Sequence, residues 1–292
     1  MADTIFEAGF LSAVWGLRLD DGRMVVVKVR PPSPRLAGCF TVHRHLWQAG
    51  VPCPEPLVAP KPFGDHAATA EALLALSGTP GSDAQFLEAS AAALARLVSR
   101  APRPDSVPSL WPSPGLVAWD HDQLGLWPTP ADGNPDLNTY PQSAWLDRVA
   151  AAVRDRLTAY RGPPLIGHGD WATENLVWDG CQLLAVHDWD SVICQPEPAI
   201  AGLAAATCLG LGGLNGPATV EQSATFLDAY VQARGLHWAS ADREAAWAAG
   251  LWVRAFDAKD LARHGDSDAV LPQPEARARL ELAGLDQDIV QV

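Results

Sequence analysis

One short segment, HGDWATENLVWDGCQLLAVHDWD (168–190), carries most of the residue types that could do chemistry. Its candidates are Asp170, Asn175 and Asp188, which are separated by apolar runs and one Asp-Gly pair. Carboxylate and amide oxygens suit Mg²⁺, which also takes oxygens from phosphate and water. A further carboxylate beside such a metal could accept a proton from an attacking hydroxyl. The pattern therefore favours phosphoryl transfer, with Asp170 as the base and Asn175 and Asp188 as metal ligands.

A hairpin is expected to bring these side chains together. Asp179 and Gly180 lie between two apolar runs, a strong signal for a two-residue turn. With these residues as the turn, Trp178 pairs with Cys181, and Asp188 falls alongside position 171. A bulge would shift this register by a residue. The alternative is that these acidic residues only cap turns, as Asp and Asn often do.

The same residues resemble a known family. HGDWATEN followed by VHDWD is similar to the H-G-D-x-x-x-x-N and D-x-D/E motifs of the aminoglycoside phosphotransferase and choline kinase-like family. The resemblance implies a bilobal α+β fold like that of protein kinases. It also implies Asp170 as catalytic base, Asn175 and Asp188 as metal ligands, and a structural role for His168.

The resemblance extends to the N-terminal part of the chain. The segment DDGRMVVVKV implies that Lys28 contacts the nucleotide phosphates. The chain has three lysines in all, although an exposed edge-strand lysine would look the same. ALLALSGTPG resembles the segment between the lobes, so that backbone groups near Ala75 and Leu76 would meet adenine. Ser12 in AGFLSAVWG could supply a phosphate donor.

One family feature is missing from its usual place. The helix after the lysine strand ordinarily carries a Glu that pairs with the lysine, and counting back from Gly50 places it near Cys39. No acidic residue lies between Arg30 and Gly50. The partner of Lys28 is therefore absent or comes from elsewhere, with Glu55 as a distant candidate.

The substrate residues are less sharply defined. Glu174 and Asp190 flank the predicted catalytic residues, while Asp257 and Asp260 share one face of a predicted helix. Together with the net charge of -13 they favour a cationic substrate. A solvated helix face explains the last two equally well. Four of the 12 tryptophans could stack on a sugar or a cation or could simply be core residues: Trp127, Trp171, Trp189 and Trp252.

The remaining pattern predicts the elements that would position these residues. A β-rich lobe over 1–78 would bind nucleotide, and a helical lobe over 79–292 would carry the catalytic loop. The predicted strands are Phe10–Leu19, Arg23–Val29 and Ala70–Leu76. The predicted helices are Leu36–Ala49, Asp83–Ser99, Gln142–Tyr160, Ala199–Leu211, Val220–Arg234, Ala241–Arg263 and Glu275–Leu285.

Composition narrows the class of protein. The 292 residues are sufficient for two lobes, and the acidic balance disfavours nucleic acid as a partner. The five cysteines are scattered without a C-x-x-C motif, which favours a reducing cytoplasm. Neither a signal peptide nor a membrane span is expected. Oligomeric state is left open between monomer and homodimer.

The leading hypothesis is an ATP- (or GTP-) and Mg²⁺-dependent kinase of a small-molecule hydroxyl. An aminoglycoside or aminocyclitol-type antibiotic is the preferred substrate, which would make the enzyme an antibiotic resistance factor. A choline-like amine, a sugar, homoserine or a macrolide are alternatives. A second hypothesis is a weakly active or inactive binding protein of the same fold, which the missing Glu suggests.

Overall fold

The N-terminal part of the chain forms a single five-stranded antiparallel sheet. The computed structural model describes residues 3–9, 12–81, 83–129, 136–210, 216–262 and 270–291. The strand order is β1-β2-β3-β5-β4. The strands are β1 Asp3–Gly9, β2 Ala13–Arg18, β3 Met24–Arg30, β4 Pro56–Phe63 and β5 His66–Ala72.

The sheet is larger than the sequence predicts. The predicted hairpin is present as β2 and β3, joined by a turn in which Gly22 has a φ of 86°. Phe10 lies outside the described residues. The predicted strand Ala70–Leu76 is displaced, because β5 already ends at Ala72. Strand β4 was not predicted, since its three prolines disfavour a strand; they are tolerated at the sheet edge.

Helix α1, Arg35–Gln48, follows β3 and covers one face of the sheet. Leu36, Val42 and Leu46 lie on its buried side at helical spacing. Gly50, with a φ of 77°, follows the helix and allows the chain to turn towards β4.

The rest of the chain is mainly helical. The helices are α2 Ala84–Arg100, α3 Ala144–Ala159, α4 Glu197–Thr207, α5 Val220–Arg234, α6 Ser240–Ala262 and α7 Gln273–Leu282. All the predicted helices are present, and α5 has its predicted bounds. The predicted ends Leu211 and Arg263 lie outside the described residues. The predicted class, α+β with an N-terminal antiparallel sheet and a helical C-terminal part, is confirmed.

Two small antiparallel sheets connect the helices. One pairs β6 Pro164–His168 with β9 Val192–Pro196, and the other pairs β7 Leu176–Asp179 with β8 Gln182–Val186. Helix α4 is buried along almost its entire length and packs on α6. At this crossing Gly202 lies so close that an added Cβ would come within 1.9 Å of the carbonyl oxygen of Ala246.

A linker over residues 73–81 joins the sheet to α2. It is fixed at both ends by backbone hydrogen bonds. The Leu73 amide donates to the Met24 carbonyl in β3, while the amides of Gly81 and Gly180 donate to the carbonyls of Gly180 and Thr79. The linker therefore rests on the turn of the β7–β8 hairpin.

Membrane insertion through a helix finds no support in this fold. Within the described ranges, none of the helices combines the length and apolar character needed to span a bilayer.

Candidate active site

The loop after β6 is organised around His168, which is fully buried. Its Nδ1 accepts a hydrogen bond of 3.3 Å from the Asp170 amide, so the ring proton is on Nε2. That Nε2–H group donates to the His187 carbonyl at 3.0 Å. His168 thus joins the loop to the far end of the hairpin, which supports the structural role that the sequence predicts.

Asn175 holds the carboxylate of Asp170. Its Nδ2 donates to Asp170 Oδ2 at 2.7 Å and to the Asp170 carbonyl at 3.2 Å. Since the amide nitrogen faces Asp170, the oxygen Oδ1 is left for another partner. Burial raises the pKa of Asp170 above its usual value, and the negative charge of Asp188 raises it as well. A raised pKa makes this carboxylate a better proton acceptor.

The hairpin does return Asp188 to this loop, but in a different register from the predicted one. Asp179 pairs with Gln182, so the turn residues are Gly180, with a φ of 56°, and Cys181. Trp178 pairs with Leu183 rather than Cys181, and an irregularity shifts the register between Val177 and Trp178. The predicted pairing was wrong because the turn lies one residue later, with this bulge added.

The position of Asp188 is nevertheless fixed against Asn175. The amide of His187 donates to the carbonyl of Asn175 at 2.8 Å, and Asp188 follows directly. Asp188 has a φ of 54°, a conformation uncommon for a residue other than glycine. Its Oδ2 accepts the hydroxyl of Ser191 at 2.5 Å. The second carboxylate oxygen is thereby left for another ligand.

These two side chains fit a magnesium ion better than a metal held by protein alone. Among the described residues, His, Cys, Asp and Glu form no group of three or more that could hold a metal. One amide oxygen and one carboxylate oxygen are the few hard ligands that Mg²⁺ takes when phosphate and water complete its shell. Asn175 and Asp188 could therefore hold the ion together with a nucleotide.

Lys28 lies on the central strand β3 and is largely buried. Its Nζ is 3.8 Å from Oε1 of Glu71 on the neighbouring strand β5. Sequence reasoning missed Glu71 and offered Glu55 instead, which is exposed and pairs through its carbonyl with the Ala72 amide. The alternating pattern of strands β3 and β5, which puts every second residue on one face, was the available signal.

Asp190 has partners in the N-terminal part of the chain. Its Oδ1 accepts a charged hydrogen bond of 2.7 Å from Nη2 of Arg30 on β3. Arg35 of α1 donates to the carbonyls of Asp190 and Val192. Both arginines were missed by the sequence reasoning. Because its carboxylate is engaged, the geometry favours Asp190 as a support for the Asp188 segment over a direct substrate contact.

The other predicted substrate residues lie on the side of α6 and the catalytic loop. Oδ2 of Asp257 is buried and lacks a hydrogen-bond partner within the described part of the chain. Burial, with smaller contributions from the charges of Asp170 and Asp260, raises the pKa of Asp257 to about 8. Asp257 is therefore close enough to Asp170 for the charge of Asp170 to raise its pKa. Glu174 is exposed beside the same loop.

The other predicted nucleotide contacts lie just outside the strands of the sheet. Ala75 and Leu76 are exposed residues of the linker, beyond the end of β5, so their backbone groups are not committed to a strand. Ser12 is half-buried just before β2, and the two residues preceding it lie outside the described ranges.

The four tryptophans proposed as stacking platforms are core residues instead. Trp127, Trp171, Trp189 and Trp252 are each exposed by 4% or less. Their indole N–H groups are used internally; that of Trp171, for example, donates to the hydroxyl of Ser90 at 3.0 Å. Burial of a large aromatic ring is strongly favourable, which explains why these four tryptophans lie in the core.

Comparison with known proteins assigns the family. The model of the phosphotransferase enzyme family matches residues 4–246, most of the chain. The chain belongs to this family. The resemblance to the aminoglycoside phosphotransferases and the activity class of a small-molecule phosphotransferase are confirmed. A search of curated proteins gave no match.

Solved structures of similar fold support this assignment. An amicoumacin kinase in complex with AMP-PNP and Ca²⁺ matches with a TM-score of 0.67 at 11% identity, covering 97% of this chain and 90% of that one. A microcompartment-associated aminopropanol kinase gives 0.65 at 16% identity, with 98% and 94% covered. A thermostable mutant of the aminoglycoside phosphotransferase APH(4)-Ia gives 0.60 at 14% identity, with 96% and 94% covered. At these identities the similarity shows the bilobal, protein-kinase-like fold.

Proposed function

We propose that this phosphotransferase uses ATP and Mg²⁺ to phosphorylate a hydroxyl of a cationic small molecule, with an aminoglycoside or aminocyclitol antibiotic as the preferred substrate. The observation that carries the proposal is the hydrogen bond from Asn175 to the carboxylate of Asp170, with Asp188 brought to the same loop by the hairpin. A binding protein would not need a buried, oriented base.

Asp170 acts on the proton of the substrate hydroxyl. As the hydroxyl oxygen forms its bond to the γ-phosphorus, the bond to the β,γ-bridging oxygen breaks and ADP leaves. Asp170 accepts the proton released from the hydroxyl. The hydrogen bond from Asn175 to Oδ2 fixes the orientation of the carboxylate, so that its other oxygen faces the substrate.

The nucleotide phosphates are placed by groups from both parts of the chain. Asn175 and Asp188 would hold Mg²⁺, which would neutralise charge on the nucleotide phosphates. Lys28 adds a positive charge from β3, and Ser12 adds a donor before β2. Backbone groups at Ala75 and Leu76 meet the base, a geometry that admits ATP or GTP. In this proposal residues 1–78 form the nucleotide lobe and residues 79–292 the catalytic lobe.

The preference for a cationic substrate rests on Asp257. A buried carboxylate oxygen without a partner is costly unless a ligand satisfies it. An ammonium group of the substrate beside Asp170 would satisfy this oxygen and favour the ionised form of Asp257, with Asp260 and Glu174 adding negative charge nearby. An aminopropanol kinase and an aminoglycoside phosphotransferase share this fold, and both of those substrate names denote amines. The enzyme would act as a cytoplasmic monomer or homodimer and could confer antibiotic resistance.

The test is turnover of a substrate panel. Purified protein with Mg²⁺-ATP is offered aminoglycosides, aminocyclitols, amino alcohols, macrolides, homoserine and sugars, and ADP release and product mass are measured. We expect one amine-bearing class to gain 80 Da, the mass of one phosphoryl group with loss of the hydroxyl proton, and Asp170→Ala to abolish this.

Two results would redirect the proposal. Nucleotide binding without turnover of any compound would favour the inactive binding protein. Turnover of neutral sugars alone would still show a small-molecule kinase, but it would contradict the proposed role of Asp257 in binding a cation.

A further inference from the structure

The Lys28–Glu71 pair is unusual because it is buried and entirely contained in one sheet. The side chains are exposed by 16% and 11%, and their charged atoms are 3.8 Å apart. A lysine and a glutamate are rarely buried unless they are paired. A buried pair commonly contributes little net stability, so stability alone does not account for this one.

Strand register fixes the geometry of this pair. Lys28 is opposite Thr69 and Val26 is opposite Glu71, so Lys28 and Glu71 are diagonal neighbours on the same face of β3 and β5. Diagonal partners on adjacent antiparallel strands are within reach of long side chains. The contact therefore depends on the sheet ladder and not on how a helix docks against it.

Helix α1 offers Lys28 no alternative partner. The helix contains no acidic residue, and His43 is the titratable imidazole that it contributes to the cavity lined by Lys28. His43 stacks on Trp189 with ring centroids 4.5 Å apart and hydrogen-bonds the Pro54 carbonyl at 2.8 Å. Burial lowers the pKa of His43 to about 3, so the ring facing Lys28 is neutral.

The other cation on this face of β3 is already paired. Arg30, two residues beyond Lys28, binds Asp190 at 2.7 Å and the Thr69 hydroxyl at 3.0 Å. The two carboxylates are thus divided between the two cations, Asp190 to Arg30 and Glu71 to Lys28. A small cavity of about 30 Å³ is lined by all four side chains.

We propose that Glu71 is the positioning residue for Lys28. It holds the ammonium from within the sheet, where other phosphotransferases would use a helix, and it does so from the strand that leads into the 73–81 linker. The orientation of Lys28 is thereby independent of α1. This inference rests on the proposed function in taking Lys28 as a nucleotide ligand.

The test measures affinity for Mg²⁺-AMP-PNP by calorimetry in a double-mutant cycle. The proteins are wild type, Glu71→Gln, Lys28→Met and the double variant. We expect Glu71→Gln to weaken binding about 10-fold and Lys28→Met about 30-fold. Because Glu71 acts through Lys28, the double variant should bind as weakly as Lys28→Met alone, which is a non-additive result.

Two further variants separate positioning from folding. Glu55→Gln, which removes an exposed acid near the same strands, should bind nucleotide like wild type. Glu71→Asp keeps the charge on a shorter side chain and should recover part of the affinity lost in Glu71→Gln. Thermal unfolding of each variant shows whether the sheet is intact.

The outcomes separate this inference from the proposed function. Unchanged affinity in Glu71→Gln, or additive losses in the double variant, would overturn the role of Glu71 while nucleotide binding by the wild type still stands. A wild-type protein that binds no nucleotide would overturn both.

Discussion

The N-terminal sheet and the helical part of this protein are built very differently. Strand β1 is exposed over its whole length, whereas every residue of α4 after Glu197 is buried. The same contrast holds for close packing. Gly202 in α4 touches the backbone of α6, while the turn glycine Gly22 between β2 and β3 has no atom within 4 Å of an added Cβ.

This contrast matters because the proposed site draws on both regions. The base and the metal ligands belong to the loop and hairpin that pack on the helical core, whereas Lys28 belongs to the thinner sheet. Polar contacts join the sheet to the helical part. The main ones are the hydrogen bonds from Arg30 and Arg35 to Asp190. We infer that the helical part fixes the positions of the base and the metal ligands. The sheet then depends on these hydrogen bonds for its alignment with the helical part.

The largest effect is expected in the loop on the helical side. Asp170→Asn removes the proton acceptor while keeping the shape of the side chain, and kcat should fall about 1000-fold. Affinity for Mg²⁺-AMP-PNP should change little, because Asp170 is not a proposed metal ligand. The measurement is initial rate of ADP release, with calorimetry as the control. A kcat within a factor of ten of wild type would exclude Asp170 as the base.

The contrast in packing predicts a large difference between two glycine substitutions. Gly202→Ala should lower the free energy of unfolding by about 3 kcal/mol, because a methyl group would collide with the α6 backbone. Gly22→Ala should lower it by about 1 kcal/mol, since only the positive φ is strained. Urea unfolding of both variants measures this. Equal losses would show that the sheet is as tightly packed as the helices.

Loss of the polar contacts between the two regions is expected to have an intermediate effect, on the affinity for Mg²⁺. Asp190→Ala frees Arg30 and loosens the segment that carries Asp188, so the apparent affinity for Mg²⁺ should fall about 30-fold. Asp21→Ala, which breaks an exposed ion pair with Arg23 in the turn between β2 and β3, is the control and should leave this affinity unchanged. Activity as a function of Mg²⁺ concentration gives the values. If loss of Asp190 affected only the KM of the hydroxyl substrate, Asp190 would be a substrate residue after all.

A pH dependence of the free energy of unfolding is also expected, and it arises in the helical part. The pKa of Asp257 is about 8 in the folded protein against an ordinary value of 3.8. Between about pH 4 and pH 8 the unfolded chain has lost a proton that the folded protein keeps, so this group makes the protein less stable as the pH rises.

Asp257→Asn should remove that dependence. Relative to wild type, the variant should gain stability steadily from about pH 4 to pH 8 and then level off. Urea unfolding at several pH values tests this, with the exposed Asp228→Asn as control. A difference that is constant across the range would mean that Asp257 is already ionised at neutral pH in the folded protein.

Much of the site could be predicted because its signals are local. The order Asp170, Asn175, Asp179-Gly180, Asp188 lies within one loop and hairpin, and a turn pattern is sufficient to bring its ends together. The helices were predicted well for the same reason, since their apolar period is a property of neighbouring residues. Strand β4 was missed because its prolines are acceptable only at a sheet edge, which is a fact of the assembled sheet.

The sequence by itself determined the family and the fold class, and it supplied the residues that are proposed to do the chemistry. Tertiary structure alone decided which charged residues meet: Glu71 with Lys28, and Arg30 and Arg35 with the Asp190 segment. It also decided that the charge of Asp170 raises the pKa of Asp257. It also decided that the four tryptophans are core residues. The physical reason is distance along the chain. Arg30 and Asp190 are 160 positions apart, and their pairing depends on how the sheet docks against the loop.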